Sequence, residues 1–328
     1  MRVGFGFHLS DGGPSVFMRR LREEFRSRQE ITTTMYFDPR ADLLLVANKV
    51  RNPWRKPFVF RMDGIVFDSA LPLSEISKRN SDYLRGLAGA SGIVFQSKFD
   101  QELVTTHIGA PSVPTTIIPN GINLVRAEIA KPNARRLLGI PEDRLVFVTS
   151  AKWRIHKRLD ATIDAFNLFR REYANDAHLI VIGDLSCVDH PRVTPNVHYV
   201  GHVPPSALLQ WYAAGDIFLF FSWLDHCPNT VVEAIGSGLP VICTNQGGTR
   251  ELVEGCTAGL VVDVDDEYGF DRVRLYEPPQ PNLASLTEGM IAVASDLELY
   301  KSKINPSLID ISNTARRYQH FLESLYKQ

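Results

Sequence analysis

Short apolar runs alternate with segments whose apolar positions recur at helical spacing, from residue 3 almost to the end of the chain. The runs at 3–7, 31–37, 43–47, 58–61, 93–95 and 115–118 predict strands in the first half. Those at 145–149, 179–182, 197–200, 217–221, 241–243 and 260–262 predict strands in the second. Helical spacing predicts helices at 15–28, 75–87 and 99–107, with Ser97 capping the last, and at 159–173, 206–213, 230–236, 249–253, 283–295 and 306–326. Strands that alternate with helices need crossover connections, so the fold class is α/β, with two Rossmann-like doubly wound domains and mostly parallel sheets. The turn residues Pro119-Asn120-Gly121-Ile122 and the mixed stretch to Gly139 divide the two series. The expected units are 1–128, 129–305 and a terminal helix at 306–328. Open parallel sheets bind ligands beyond the carboxyl ends of their strands, so the two domains should face each other across a cleft that holds the site.

A length of 328 residues is about twice that of one domain, and 44% hydrophobic with 22% charged residues excludes disorder, collagen and coiled coil. Cys187, Cys227, Cys243 and Cys256 show neither CxxC nor Cys/His ligand spacing, which predicts a reducing compartment and implies no metal. The first residues enter a strand pattern, and no apolar run approaches the roughly 20 residues a bilayer needs, so a soluble, unexported, cytoplasmic protein is expected. The net charge of −1 hides an asymmetry: residues 1–128 hold 17 Lys and Arg against 13 Asp and Glu. That excess is too small and too scattered for nucleic-acid binding. The basic stretch Lys49-Val50-Arg51-Asn52-Pro53-Trp54-Arg55-Lys56, with Arg19, Arg20, Arg22 and Arg26, offers a peripheral contact to a membrane surface or an anionic lipid-linked acceptor. The competing reading is a solvated face.

The densest chemistry lies in Phe221-Ser222-Trp223-Leu224-Asp225-His226-Cys227-Pro228-Asn229-Thr230, an apolar strand running into a loop and then a helix that starts near Pro228 or Asn229. Free amides and the dipole of that helix start favour an anion. Asp225 before the helix and Glu233 inside it flank the anion position, and carboxylates suit the hydroxyls of a polyol. An anion between hydroxyl-bearing groups describes a nucleoside diphosphate sugar.

Asp225-x7-Glu233, with Gly238-Leu239-Pro240-Val241 and Gly247-Gly248-Thr249-Arg250-Glu251-Leu252, closely resembles the signature of glycosyltransferase family 4, retaining enzymes of the GT-B architecture. Asp11-Gly12-Gly13-Pro14 resembles that family's glycine-rich loop, and Gly92-Ile93-Val94-Phe95-Gln96-Ser97 with Ile118-Pro119-Asn120-Gly121-Ile122 resembles the end of its first domain. The resemblance implies that Glu233 binds the ribose hydroxyls and that Asp225 lies near the transferred sugar. It further implies that Lys152 and Lys157 neutralise the diphosphate leaving group without a metal or cofactor. His226, Cys227, Pro228, Asn229 and Thr230 would meet the distal phosphate or sugar, and Gly12 and Gly13 the phosphates. Val197-His198-Tyr199-Val200-Gly201-His202-Val203 resembles the base-binding loop, which puts Gly201, His202 and Val203 in the donor-binding set, to which Gly183, after the strand at 179–182, is added. The last helix would cross back to brace the first domain with Tyr318, Phe321, Leu322 and Leu325. Asp225 stands where Glu is usual, Lys152 where Arg is usual, and Arg158 where Gly often follows the lysine.

Asp63 and His8 are the first-domain candidates near strand ends that face the cleft, and neither sits in a pattern that marks a base for inverting attack. Asp63 is grouped with Asp225, Lys152 and Lys157 as a catalytic residue that orients the sugar, the competing reading being a structural Asp that caps a turn, and retention is expected. The function expected is transfer of a sugar from a nucleoside diphosphate to a hydroxyl of a glycan or lipid-linked acceptor, as in polysaccharide biosynthesis. The alternatives are a sugar-nucleotide epimerase on the same scaffold and a non-catalytic nucleotide-sugar-binding protein. A dinucleotide dehydrogenase is excluded because Gly4, Gly6, Gly12 and Gly13 do not form GxGxxG.

Overall fold

A computed structural model describes residues 1–6, 13–29, 31–35, 38–47, 50, 55–124, 132–188, 191–264, 269 and 273–326. Gly12, His8 and most of the 49–56 stretch lie outside the described residues. The first sheet is parallel, in the order β2-β1-β3-β4-β5-β6, from β1 (Arg2–Gly6), β2 (Thr32–Met35), β3 (Leu43–Ala47), β4 (Phe58–Arg61), β5 (Gly92–Phe95) and β6 (Thr115–Ile117). Its helices are α1 (Gly13–Arg28), α2 (Leu73–Arg79), α3 (Ser81–Gly89) and α4 (Lys98–His107). The second sheet runs β12-β11-β10-β7-β8-β9, also parallel, from β7 (Val146–Ser150), β8 (His178–Ile182), β9 (Val197–Gly201), β10 (Ile217–Phe220), β11 (Val241–Thr244) and β12 (Gly259–Val262). Around it lie α5 (Pro132–Leu137), α6 (Leu159–Glu172), α7 (Pro205–Ala213), α8 (Asn229–Gly236), α9 (Thr249–Gly255), α10 (Leu283–Ser295) and α11 (Leu297–Lys303). The second sheet reverses strand order between β7 and β10, and it is at such a reversal that a crevice opens beyond the strand ends.

The continuous apolar runs become central strands because parallel sheets are covered on both faces; all five residues of β3 and of β7 are buried. One face of the first sheet packs on α1 and on α12 (Ile311–Tyr326), whose Ile311, Ala315, Tyr318 and Leu322 recur at helical spacing and enter the same apolar cluster as Val3, Phe17 and Phe25. The terminal helix thus returns to the first domain. The helix predicted at 75–87 is broken at Asn80, whose buried side chain bonds the Val66 amide (2.8 Å) and the Val66 carbonyl (2.7 Å). Side-chain bonding of this kind competes with helix continuation. The helix predicted at 306–326 is likewise divided into a 3-10 turn, Pro306–Ile309, and α12. At the break, Ile122 donates its amide to Ile309 (2.8 Å) and accepts from Ile311 (2.9 Å), which ties the terminal segment to the interdomain linker. Helices α5 and α11 were not predicted.

Candidate active site

The carboxyl ends of β7 and β10 open on a cavity of about 300 Å³ between the two domains. Its second-domain wall is Ala151, Lys152, Lys157, Phe220 and the whole of 225–230; its first-domain wall is Gly13, Pro14, Asp63, Gln96 and Asn120. Helix α8 begins at this wall with Pro228 as its N-cap and no side-chain cap bond, so its first amides are unclaimed by a side chain, as an anion site requires.

Lys157 and Asp225 form an ion pair inside the cavity, with side chains 18% and 16% exposed. Burial pushes the Asp225 carboxyl upward, but the Lys157 ammonium beside it outweighs that and holds it below the usual carboxylate range. Both partners adjoin a left-handed residue that is not glycine: Arg158 has φ 52° and Leu224 φ 51°. Such a conformation costs roughly 1–3 kcal/mol and persists only when the surroundings over-determine it. Arg158 is held by Gln246 Oε1 (2.9 Å), by the Pro279 carbonyl (2.6 Å) and by the face of Trp223 at 5.0 Å. The positive φ explains why glycine often follows this lysine in the family that the sequence resembles, and the three contacts explain how an arginine replaces it. Gly247 and Gly248 support the loop from behind. A Cβ on Gly248 would stand 2.0 Å from the His226 carbonyl oxygen, and the Gly248 amide donates to the Asp225 carbonyl at 2.7 Å.

Across the cavity, Asp63 is held by an ion pair with Arg61 and by Gln96 Nε2 at 3.0 Å, and its side chain is 3% exposed. Its other oxygen, Oδ2, is buried without a hydrogen-bond partner. Arg61 also bonds Asn120, whose Nδ2 reaches the Cys227 carbonyl and Asn229 Oδ1, both at 3.0 Å; Asn229 Nδ2 donates to the Gly13 carbonyl at 2.9 Å. A chain of polar contacts therefore runs from Asp63 through the linker to the starts of α8 and α1. Burial pushes the Cys227 thiol up to about 12, which makes it packing and not a nucleophile.

The other residues named from sequence stand at the cavity edge or beyond it. Lys152 lines the cavity, but at 56% exposure it leans on Asp184 at 3.4 Å. Glu233, on the second turn of α8, does not line the cavity: it is buried against Arg20 of α1, and burial raises its carboxyl despite that cation. Gly183 (φ 119°) donates its amide to the carbonyl of Gly201 (φ 77°) and, having no Cβ, lets the end of β8 pass close to Ala151; His202 is exposed, and Val203 packs on the second domain's apolar cluster. Sequence reasoning missed Arg20 as the partner of Glu233, Arg61 as the partner of Asp63, and Asn120 and Gln96 as cavity walls. The only signal for the last two was their place in motifs that end the first domain. Among the described residues no group of three or more His, Cys, Asp or Glu gathers to hold a metal, and no helix is long and apolar enough to cross a membrane.

Two parallel, doubly wound domains facing across a cleft, with the terminal helix returned to the first, define a protein of GT-B architecture. Residues 142–272 match the family model Glycosyl transferases group 1. The chain is similar to the GDP-mannose-dependent alpha-mannosyltransferase of Mycolicibacterium smegmatis, 37% identical over 98 residues, which are 30% of this chain and 25% of that protein. It is also similar to the D-inositol 3-phosphate glycosyltransferase of Paenarthrobacter aurescens, 22% identical over 64% of this chain and 55% of that one. The chain spans between a quarter and about half of the length of such relatives. In fold it matches Anabaena HepE in complex with UDP and glucose (TM-score 0.70, 15% identity, 99% of this chain and 100% of that). It also matches sucrose-phosphate synthase from Thermosynechococcus elongatus (TM-score 0.73, 14% identity, 99% of each chain).

Proposed function

We propose that this chain is a retaining glycosyltransferase that moves a sugar from a nucleoside diphosphate to a hydroxyl of a glycan or lipid-linked acceptor. The observation that carries this reading is the Lys157–Asp225 pair set beside the uncapped start of α8, in one cavity between two parallel sheets. Leaving-group charge grows as the anomeric bond breaks, and a preorganised cation with the first amides of α8 stabilises that growth without a metal. Lys152 reinforces it from the cavity edge. Asp225 and the unpartnered Oδ2 of Asp63 take hydroxyls of the sugar from opposite walls. Glu233 takes the ribose hydroxyls once Arg20 yields it. The family match over 142–272 and the names of the relatives support transferase chemistry over the epimerase or the purely binding alternative.

In this reading each cavity carboxylate is paired with a cation and turned to a sugar hydroxyl, so neither is assigned the part of a base opposite the leaving group. Attack from the leaving-group side, with the acceptor proton passing to a phosphate oxygen, follows. The test is incubation with nucleotide sugars and simple glycans, with NMR of the product linkage. An α-glycoside from an α-linked donor supports the mechanism, and a β-glycoside as sole product refutes retention. Isomerised nucleotide sugar formed without acceptor would favour the epimerase.

A further inference from the structure

His226 has a side chain that the chemistry above does not use. It belongs to the second domain, yet among the described residues its ring and ion-pair contacts lie in the first. The ring stands 5.5 Å from Phe99 and edge-on to Phe67 at 6.4 Å, and its Nδ1 is 3.2 Å from Oδ1 of the fully buried Asp100. Opposite, Gly64 holds φ 90°, and a Cβ there would lie 2.3 Å from the His226 Nε2. Gly64 is therefore glycine for two reasons: its backbone conformation disfavours other residues, and the ring fills the space.

The chain neighbour of His226 is Asp225 and the chain neighbour of Gly64 is Asp63, the two carboxylates on opposite cavity walls. We propose that His226 is a positioning residue whose seat between Phe67, Phe99, Asp100 and Gly64 fixes Asp225 relative to Asp63. A second contact supports the same alignment. Glu251 of α9 accepts the Lys98 and Phe99 amides of α4, both at 2.8 Å, so the start of α4 is gripped by the second domain at two points. A donor sugar between Asp225 and Asp63 is then held by both domains, whereas Lys157 and the start of α8, the cation and amides proposed for the diphosphate, belong to the second.

This inference rests on the transferase reading, and its test separates the two. In the full chain, His226→Ala should lower kcat about tenfold to a hundredfold, as small misplacements of reacting groups do. The dissociation constants of uridine and guanosine diphosphate should stay within about threefold. Gly64→Ala, which intrudes on the same seat from the other side, should reproduce the split. In an Asp63→Asn background, His226→Ala should cost less than about threefold more, because coupled residues are not additive. Unchanged kcat, or fully additive losses, overturns the proposal. If the wild type transfers no sugar from any donor, the transferase reading fails, and the seat is read by amide exchange instead. Faster exchange in the first turns of α4 in His226→Ala then supports it, and unchanged exchange there overturns it.

Discussion

Two ion pairs stand at opposite ends of the same central strands. At the amino ends of β7 and β10, Arg135 donates to the carbonyls of Ala214, Glu142 and Arg144 at 2.7–2.9 Å and to Asp216 at 2.8 Å, while Asp216 also accepts the Val146 amide at 2.9 Å. At the carboxyl ends, Lys157 meets Asp225 and the face of Phe220 at 5.4 Å, with a cavity in front. The first pair is nearly saturated with protein partners and holds α5 on the sheet. The second keeps hydrogen-bonding capacity for something that enters. Burial, pairing and an adjoining cavity, of about 390 Å³ at Arg135 and Asp216 and about 300 Å³ at Lys157 and Asp225, are common to both, so none of these marks function; unspent donors and acceptors do.

The largest expected effect tests the saturated end. Arg135→Ala leaves Asp216 buried without its cation, and breaking a buried pair in this way costs about 3–5 kcal/mol. Urea denaturation should show that loss while turnover per folded molecule stays near wild type. A variant with wild-type stability would erase the contrast. Lys157→Ala tests the other end. Turnover should fall about a hundredfold to a thousandfold, the magnitude for one electrostatic donor to developing charge, with a smaller change in donor affinity and less destabilisation than at Arg135. Chelators should leave wild-type turnover unchanged. Equal losses in donor binding and turnover would make Lys157 a ground-state anchor.

The contrast also marks what sequence can carry. Strands were legible because a buried parallel strand is a local apolar run, and β3 and β4 match their predicted limits of 43–47 and 58–61. The loop 225–230 was legible because strand, loop and helix start are contiguous. The partners of the site were not: Arg20 is 213 positions from Glu233, and Lys157 is 68 from Asp225. Pairings at such distances are set by how two domains meet, which no local period records. Asn80 escaped for a related reason, since a helix break dictated by Val66 leaves no trace within 75–87.

Glu233 sits between the two cases, buried and paired like Asp216 but next to the site. If its carboxylate takes ribose hydroxyls, Glu233→Gln keeps the volume, loses a charge-assisted acceptor worth about 1.5–3 kcal/mol, and weakens nucleoside diphosphate binding roughly tenfold to a hundredfold. Isothermal titration measures this directly. Unchanged affinity would class Glu233 with Asp216, as a structural partner of Arg20.

The smallest effect concerns His156, the residue before Lys157, whose carbonyl anchors the Trp223 amide at 2.7 Å. Burial, with the Lys157 charge adding to it, pushes the His156 imidazole down to about 4. The folded state thus favours the neutral ring, while the unfolded chain titrates near the usual value of about 6.5. A depressed folded value means that the stability from neutral His156 is present above pH 6.5 and is lost as the pH falls toward 4. Its size is about 1–2 kcal/mol after allowance for solvent. His178, pushed to about 4 by burial and its neighbour His198, acts with the same sign far from the cavity, so acid destabilisation of the wild type alone identifies neither. Urea midpoints of wild type and His156→Gln between pH 7 and 4 isolate the term: the difference should shift in the variant's favour by that amount as the pH falls. A constant difference would mean that His156 titrates alike in both states, and that the wall behind Lys157 is wetter than its packing indicates.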